Sequence, residues 1–411
     1  MEKYYTPAED TFLLLNEINK ELKILNKNKK SNNKNNENKK EKNKKNKIKI
    51  CEIGIGSGYI SINIAKKFSD NLFFGSDINK EAIKNTKKEF KKINSKIILK
   101  NKNLFEGFKK IKFDLIIFNT PYLPCETNEK YSELNILDKA IYGGKNGNEI
   151  IKEFIFNLND NLKNEGSAII LYSSLSKPKE IEKILTENQF SFEIIKKENH
   201  FFEELIIIKI NKNNILKEIS KNNINKIKYL ASGKHSIVLE GKIKNKKVII
   251  KIGKEEHIKK ETFFLKKLKK EKFLGHLIFS SKEFVIKEKV EGTIIKEFLE
   301  NCKNKNKILK ILENTLNVCF KLDKLKINKF EMTNPYKHIF IQKNLEIKMI
   351  DFERSIFSTH PKNTTQFLQY ILRNKPLLKE KGINLNKNKI LNVAKKYKSD
   401  WKKFKINKIL D

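Results

Sequence analysis

The stretch "FDLIIFNTPYLP", Phe113 to Pro124, constrains this chain more than any other. An apolar run of that length, ended by a turn signal, reads as a strand covered on both faces, as in a parallel sheet flanked by helices. The run turns polar at Asn119, the strand's carboxyl end, and in open α/β sheets ligands bind along that edge. Two readings of the Asn-Thr-Pro-Tyr turn stand at this point: an Asx or proline turn with no further role, or an amide held for chemistry by a rigid proline.

The flanking sequence supplies the rest of such a sheet. Asn26 to Lys47, "NKNKKSNNKNNENKKEKNKKNK", has no hydrophobic period and is expected to be a disordered insertion after an N-terminal helix. Strand and helix then alternate: "KIKICEIGIG", a helix from about Ile60, "NLFFGSD", a helix over "KEAIKNTKKEF", "KIILKN", and the opening strand. A helix over "EIIKEFIFNL", the strand "SAIILYSS", another helix, and the paired runs "FSFEIIKKE" and "FFEELIIIKI" complete the set. That order predicts a doubly wound α/β sheet over residues 1–210, closing with an antiparallel hairpin. Residues 211–226 read as a polar linker. From 227 to 411 several short strands precede helices, which predicts a second, smaller α+β domain.

The formal charge of +39 suggests nucleic acid, but among 88 basic residues only Arg354 and Arg373 are arginine. Arginine is the side chain that reads bases and phosphates with two parallel hydrogen bonds, so the charge points to loose, salt-sensitive RNA or ribosome contact rather than specific readout. Cys51, Cys125, Cys302 and Cys319 form no C-x-x-C pair, which fits free thiols in a reducing cytoplasm. No stretch is long and apolar enough to span a membrane, and acids stand where a signal peptide would be basic. A cytoplasmic protein is expected.

"CEIGIGSGY" follows the first strand and opens a helix, with Gly54, Gly56 and Gly58 spaced G-x-G-x-G rather than as the dinucleotide fingerprint. Glu52, just before the glycines, puts a negative charge beside a ligand, which suits a cationic cofactor. Asp77, ending the second strand in "GSDIN", is placed to accept hydrogen bonds from a ribose diol.

The set "YTPAEDTFLLL", "CEIGIGSGY", "SDIN", "NLFEG", "FNTPYLP" and "AIYGGKNGNEII" resembles the HemK-type glutamine methyltransferases, in particular their archaeal and eukaryotic branch, over about Met1 to Ile210. The resemblance implies a Rossmann-like class I methyltransferase sheet, S-adenosylmethionine over the Gly-rich turn, and methylation of the glutamine side chain in the Gly-Gly-Gln loop of a class I translation release factor. By motif position Thr11, Glu52, Gly54 and Asp77 would bind the cofactor, Asn103 and Leu104 would flank its adenine, and Asn119 would hold the substrate amide. Pro121 would fix the loop and Tyr122 would pack against the target amide or fill core. Thr120 stands at the motif's second residue, where the family usually has Pro, and Asn103 stands where the family commonly has Asp. The resemblance also implies a small zinc-binding activator subunit covering an apolar edge of the first domain. The same Asn-x-Pro-Tyr turn occurs in adenine-methylating enzymes, so amino-group methylation of nucleic acid is the alternative; such enzymes usually add a recognition domain.

In the second domain "YLASGKHSIVLEG" supplies a hairpin with Gly233, "KKVIIKIG" a strand with Lys251, "KKETFFLKKL" a helix with Glu261, and "KMIDFERS" Asp351 after an apolar strand. That is the order in which a kinase fold covers phosphates, pairs its lysine and holds metal. From about Lys226 the chain resembles predicted archaeal serine/threonine kinases related to the RIO and Bud32 types, through "FEMTNPYKHIFI", "IDFERS" and "NTTQFLQYIL". The resemblance implies that Lys251 contacts the phosphates of ATP, Glu261 orients it, and Asp351 binds magnesium. Glu331 stands where the catalytic Asp is expected, and the metal-binding Asn has no clear counterpart, Lys337 or His338 being nearest. An active kinase and a nucleotide-binding pseudokinase that docks the enzyme on the translation machinery both remain open.

Overall fold

A computed structural model describes residues 4–34, 47–125, 134–233 and 235–399. The chain divides into two compact units, Met1–Tyr229 and Leu230–Asp411.

The first unit begins with helix α1 (Glu9–Lys34), followed by β1 (Lys49–Ile53), α2 (Tyr59–Lys67), β2 (Leu72–Asp77), α3 (Lys80–Lys92), β3 (Ile97–Asn101) and β4 (Phe113–Asn119). Then come α4 (Glu149–Asn161), β5 (Leu162–Ser173), α5 (Pro178–Glu187) and the hairpin of β6 (Phe190–His200) and β7 (Glu203–Lys212). Strand order is β3-β2-β1-β4-β5-β7-β6. The first five strands run parallel, while β7 is antiparallel to β5 and β6 to β7. Chain order reverses between β1 and β4, so their carboxyl ends frame the crevice in which such sheets bind ligands.

Cover on both faces explains why nearly all of β4 is apolar, with an irregularity between Phe113 and Leu115 turning Phe113 away from the face of Leu115 and Ile117. Leu115 and Ile117 join Ile50, Ile169 and Leu171 in an aliphatic core under α1 and α2, to which Leu14, Ile18 and Leu22 of α1 contribute. On the other face Phe113 packs on Phe74 with ring centroids 5.1 Å apart, and Phe118 on Phe154 of α4 at 5.2 Å. Helix α4 buries Ile151, Phe154, Ile155 and Leu158, a stripe of helical period.

Two expectations change. Helix α1 continues through Lys34, so residues 26–34 of the expected disordered insertion have helical backbone; residues 35–46 lie outside the described residues. Residues 211–226, read as a linker, contain the end of β7 and a helix, α6 (Asn214–Ser220), that belongs to the first unit. The Asn213 side chain caps α6 by accepting from the Leu216 N–H at 2.8 Å, and Leu216 and Ile219 are fully buried. Two apolar residues three apart suffice to dock one short helix, and the polar residues around them hide that signal.

Strand β8 (Asn225–Ser232) spans the division at Leu230, and the second unit continues with β9 (Ser236–Ile243), β10 (Lys246–Gly253), α7 (Glu255–Lys267), β11 (Leu277–Ser280) and β12 (Phe284–Glu288). These strands form a five-stranded sheet in the order β11-β12-β10-β9-β8. Helices α8 (Ile295–Asn301), α9 (Lys305–Lys324) and α10 (Asn363–Arg373) follow. Asp323 of α9 is fully buried and accepts from the Asn363 and Thr364 backbone N–H groups and the Asn363 Nδ2. These three donors come from the start of α10 and the Tyr397 hydroxyl donates to Asp323 Oδ2 as well, which is how a buried carboxyl ties helices together. Among the described residues no helix is long and apolar enough to cross a membrane.

Candidate active site

The turn after β1 is shaped by its glycines and by two acids. Gly56 sits at φ +51°, a left-handed conformation that a side chain disfavours, and its N–H donates to Asp77 Oδ2 at 2.8 Å. Asp77 Oδ1 accepts from the Asn79 N–H at 2.7 Å, so this carboxyl ties the β1 turn to the one after β2. Glu52 Oε2 accepts from the Ser61 N–H at 3.0 Å and from the Ser61 hydroxyl. Burial pushes the Glu52 carboxyl up to about 8, against the pull of the Ser61 hydrogen bonds, and burial likewise raises Asp77.

These groups open on a cavity of about 470 Å³. Its wall includes Thr11, Glu52, Gly54, Gly56, Asp77, Asn103, Leu104, Asn119, Pro121 and Tyr122, so ten residues singled out from the sequence meet in one place. Gly58 does not line it and instead starts α2. Asn103 Nδ2 donates to Glu153 Oε1 at 3.1 Å, and the Leu104 carbonyl accepts from the Ser76 hydroxyl at 2.7 Å.

Asn119 ends β4 at the cavity. Its Nδ2 donates to Asp10 Oδ2 at 2.9 Å and, more weakly, to Thr11 Oγ1 at 3.4 Å. Its Oδ1 is buried and accepts no hydrogen bond from the described residues. Thr120, at the family's proline position, donates its hydroxyl to the Leu171 carbonyl at 2.7 Å and so anchors the turn to β5. The Gly143–Gly147 loop backs the same turn: the Gly143 N–H donates to the Leu123 carbonyl at 2.9 Å, and a Cβ on Gly147 would lie 2.3 Å from the Tyr122 carbonyl. Tyr122 itself packs against the aliphatic core. Burial raises its phenol, with Asp10 and Glu203 adding to the effect.

Sequence reasoning missed Asp10 and Tyr5. Both line the cavity, and the Tyr5 hydroxyl donates to Asp10 Oδ2 at 3.1 Å. The available signal was "YTPAEDTF", where an acid opens a helix whose next residue, Thr11, was already assigned to the site.

The second unit brings together another charged cluster. Lys251 Nζ on β10 lies 2.9 Å from Glu261 Oε2 on α7, 2.6 Å from Asp351 Oδ1 and 3.0 Å from Glu353 Oε2. Lys287 on β12 pairs with Glu261 from the other side. Burial opposes charge in this cluster, but the facing lysines win: Asp351 falls to about 2 and Glu261 is lowered. One oxygen from each of Glu261, Asp351 and Glu353 falls within a 4.8 Å group, a carboxylate set suited to a hard divalent cation. His338 Nδ1 is 3.9 Å from Asp351 Oδ2, and burial, with Lys329 adding, lowers its pKa. Glu331 pairs with Lys329 at 3.1 Å, and Lys329 Nζ also donates to the Asp351 carbonyl at 2.5 Å. Gly233 lies beyond β8, and its N–H donates to the Ser236 carbonyl at 2.8 Å.

A doubly wound parallel sheet with an antiparallel hairpin, a glycine turn flanked by two acids and an Asn-x-Pro-Tyr turn at the switch point define the first unit as a class I methyltransferase domain. The methyltransferase small domain family matches residues 39–202. A Methanocaldococcus jannaschii protein assigned as a protein N5-glutamine methyltransferase is 38% identical over 204 residues, 50% of this chain and 89% of that one. The chain belongs to the HemK-type protein glutamine methyltransferase family. The eRF1 methyltransferase catalytic subunit mtq2 of Schizosaccharomyces pombe is 28% identical over 50% of this chain and 88% of its own. A solved chain of the E. cuniculi Mtq2-Trm112 complex, responsible for methylation of the eRF1 translation termination factor, is 22% identical, covering 52% of this chain and 100% of that one, with a TM-score of 0.37.

Proposed function

We propose that the first unit transfers a methyl group from S-adenosylmethionine to the side-chain amide of the glutamine in the Gly-Gly-Gln loop of a class I translation release factor. The observation that carries this reading is Asn119 Oδ1, a buried acceptor at the switch-point end of β4 with no donor among the described residues. A target amide N–H would satisfy it. S-adenosylmethionine, when bound, supplies an electrophilic methyl on a cationic sulfur.

Glu52 and Asp77 fit such a ligand, Glu52 through a carboxyl that a neighbouring cation would ionise and Asp77 through acceptors for a ribose diol. Thr11, Gly54 and Gly56 complete that side of the wall, with Asn103 and Leu104 flanking the base. An amide nitrogen is a poor nucleophile because its lone pair is delocalised into the carbonyl. Asn119 Oδ1 and a backbone carbonyl near Thr120 would accept its two N–H groups and turn the lone pair toward the methyl. Bound there, the donor would supply the methyl and its sulfur would leave as the neutral thioether, while the amide nitrogen would give up one proton to water. No base of tuned pKa is required. Pro121 holds the turn and Tyr122 packs beside the planar amide.

β3 is an outer strand with an open edge, and Ile98 on it is half exposed. That edge suits a small zinc-binding activator subunit. Four free thiols support a reducing, cytoplasmic setting. In the second unit, the Lys251–Glu261–Asp351 cluster supports a kinase-like domain that binds ATP with magnesium, Gly233 near the phosphates and Glu331 as the candidate base.

The deciding test is transfer of labelled methyl from S-adenosylmethionine to a class I release factor, with the activator subunit present. Asn119→Ala and a factor whose target Gln is Ala are each expected to abolish the signal. Label appearing in DNA or RNA instead would replace this reading with adenine methylation.

A further inference from the structure

Resting on that reading, we infer that Asp10 is the positioning residue for Asn119: it fixes which end of the amide faces the target and strengthens that end as an acceptor. The two ends of an asparagine amide have nearly the same size and shape, so packing alone cannot choose between them; the hydrogen-bond network does. Here Asp10 Oδ2 lies 2.9 Å from Asn119 Nδ2. Turned over, the amide would set oxygen against oxygen at that distance and point two N–H donors at the target's own N–H groups.

Asp10 is itself held. It is 5% exposed, its Oδ2 accepts from the Tyr5 hydroxyl at 3.1 Å, and its Oδ1 accepts from the Thr11 N–H at 2.6 Å and the Thr11 hydroxyl at 3.1 Å. The Thr11 hydroxyl thus spends its hydrogen on Asp10 and keeps a lone pair for Asn119 Nδ2. The Tyr5 and Thr11 donors beside the Asn119 amide are therefore committed to Asp10, and Oδ1 accepts from none of the described residues, which leaves it for substrate. Donating to a carboxyl oxygen also polarises the Asn119 amide, which makes its Oδ1 a stronger acceptor.

Asp10→Asn preserves shape but can donate, so it permits either orientation of Asn119. In the full chain with its activator subunit, kcat for release-factor methylation is expected to fall on the order of 10²-fold, the scale of a misaligned reacting group. KM, cofactor affinity and melting temperature should stay near wild type, and Tyr5→Phe should give a smaller loss of the same kind. A second readout needs no substrate. With asparagine side chains labelled with nitrogen-15, one Nδ2 proton of Asn119, identified by its disappearance in Asn119→Ala, should lie downfield and should lose that shift in Asp10→Asn. Wild-type kcat in Asp10→Asn, a loss that tracks cofactor affinity, or an Asn119 proton without the shift would each overturn the inference. If the wild-type protein modifies no release factor, the proposed substrate fails, while the amide resonance still decides the Asp10–Asn119 bond.

Discussion

Glu52 would couple the charge of a ligand held beside it to pH. Burial raises its carboxyl from the ordinary range to about 8, so at neutral pH the protonated form predominates. The stability this shift contributes is complete below about pH 4.5 and is lost as pH rises through about 8. A cation beside the group reverses the balance by favouring the carboxylate, so binding must expel the proton. S-adenosylmethionine affinity is therefore expected to rise with pH up to about 8. Calorimetry at pH 6.5 in buffers of different ionisation heat should find close to one proton released, and Glu52→Gln should remove both effects. The place of Glu52 before the glycines was legible in the sequence; its protonation was not, because that depends on the enclosing walls and on Ser61. The same holds for Asn119. Its position at a strand end was readable, but the partner that orients it lies 109 positions away in the chain.

The strands and helices of the first unit followed from period and turn signals, since apolar runs of strand length and helical stripes announce themselves locally. Helix α6 did not. Its seven residues bury Leu216 and Ile219 within a polar sequence that reads as a connector. A chain ending at Ile210 is therefore expected to melt well below one ending at Tyr229, as followed by circular dichroism. Leu216→Ala in the longer chain should cost ~2–5 kcal/mol in denaturant unfolding, as for other buried leucines truncated to alanine. Equal stability of the two truncated chains would restore the linker. The Asn-Thr-Pro-Tyr turn shows the same division: Pro121 stiffens it locally, whereas Leu171 and the Gly143–Gly147 loop hold it from distant parts of the chain.

The whole chain joins two units, each with its own buried core and its own charged site. If the second site takes ATP with magnesium, Asp351→Asn should abolish metal-dependent binding of a fluorescent ATP analogue while release-factor methylation stays within about twofold of wild type. Unchanged nucleotide binding would remove Asp351 from the site. The sequence by itself determined the order of elements, the parallel sheet with its closing hairpin, and most residues of the first site, because strand ends and glycine turns are local signals whose position in a doubly wound sheet fixes their neighbours. Only the tertiary structure decided what those residues do to one another. It set Asp10 against Asn119, raised Glu52, and brought Glu353 and Lys287 into the Lys251 cluster. Such effects come from burial and from contacts between distant segments, where hydrogen bonds and charges act through space and the order of residues along the chain carries no record of them.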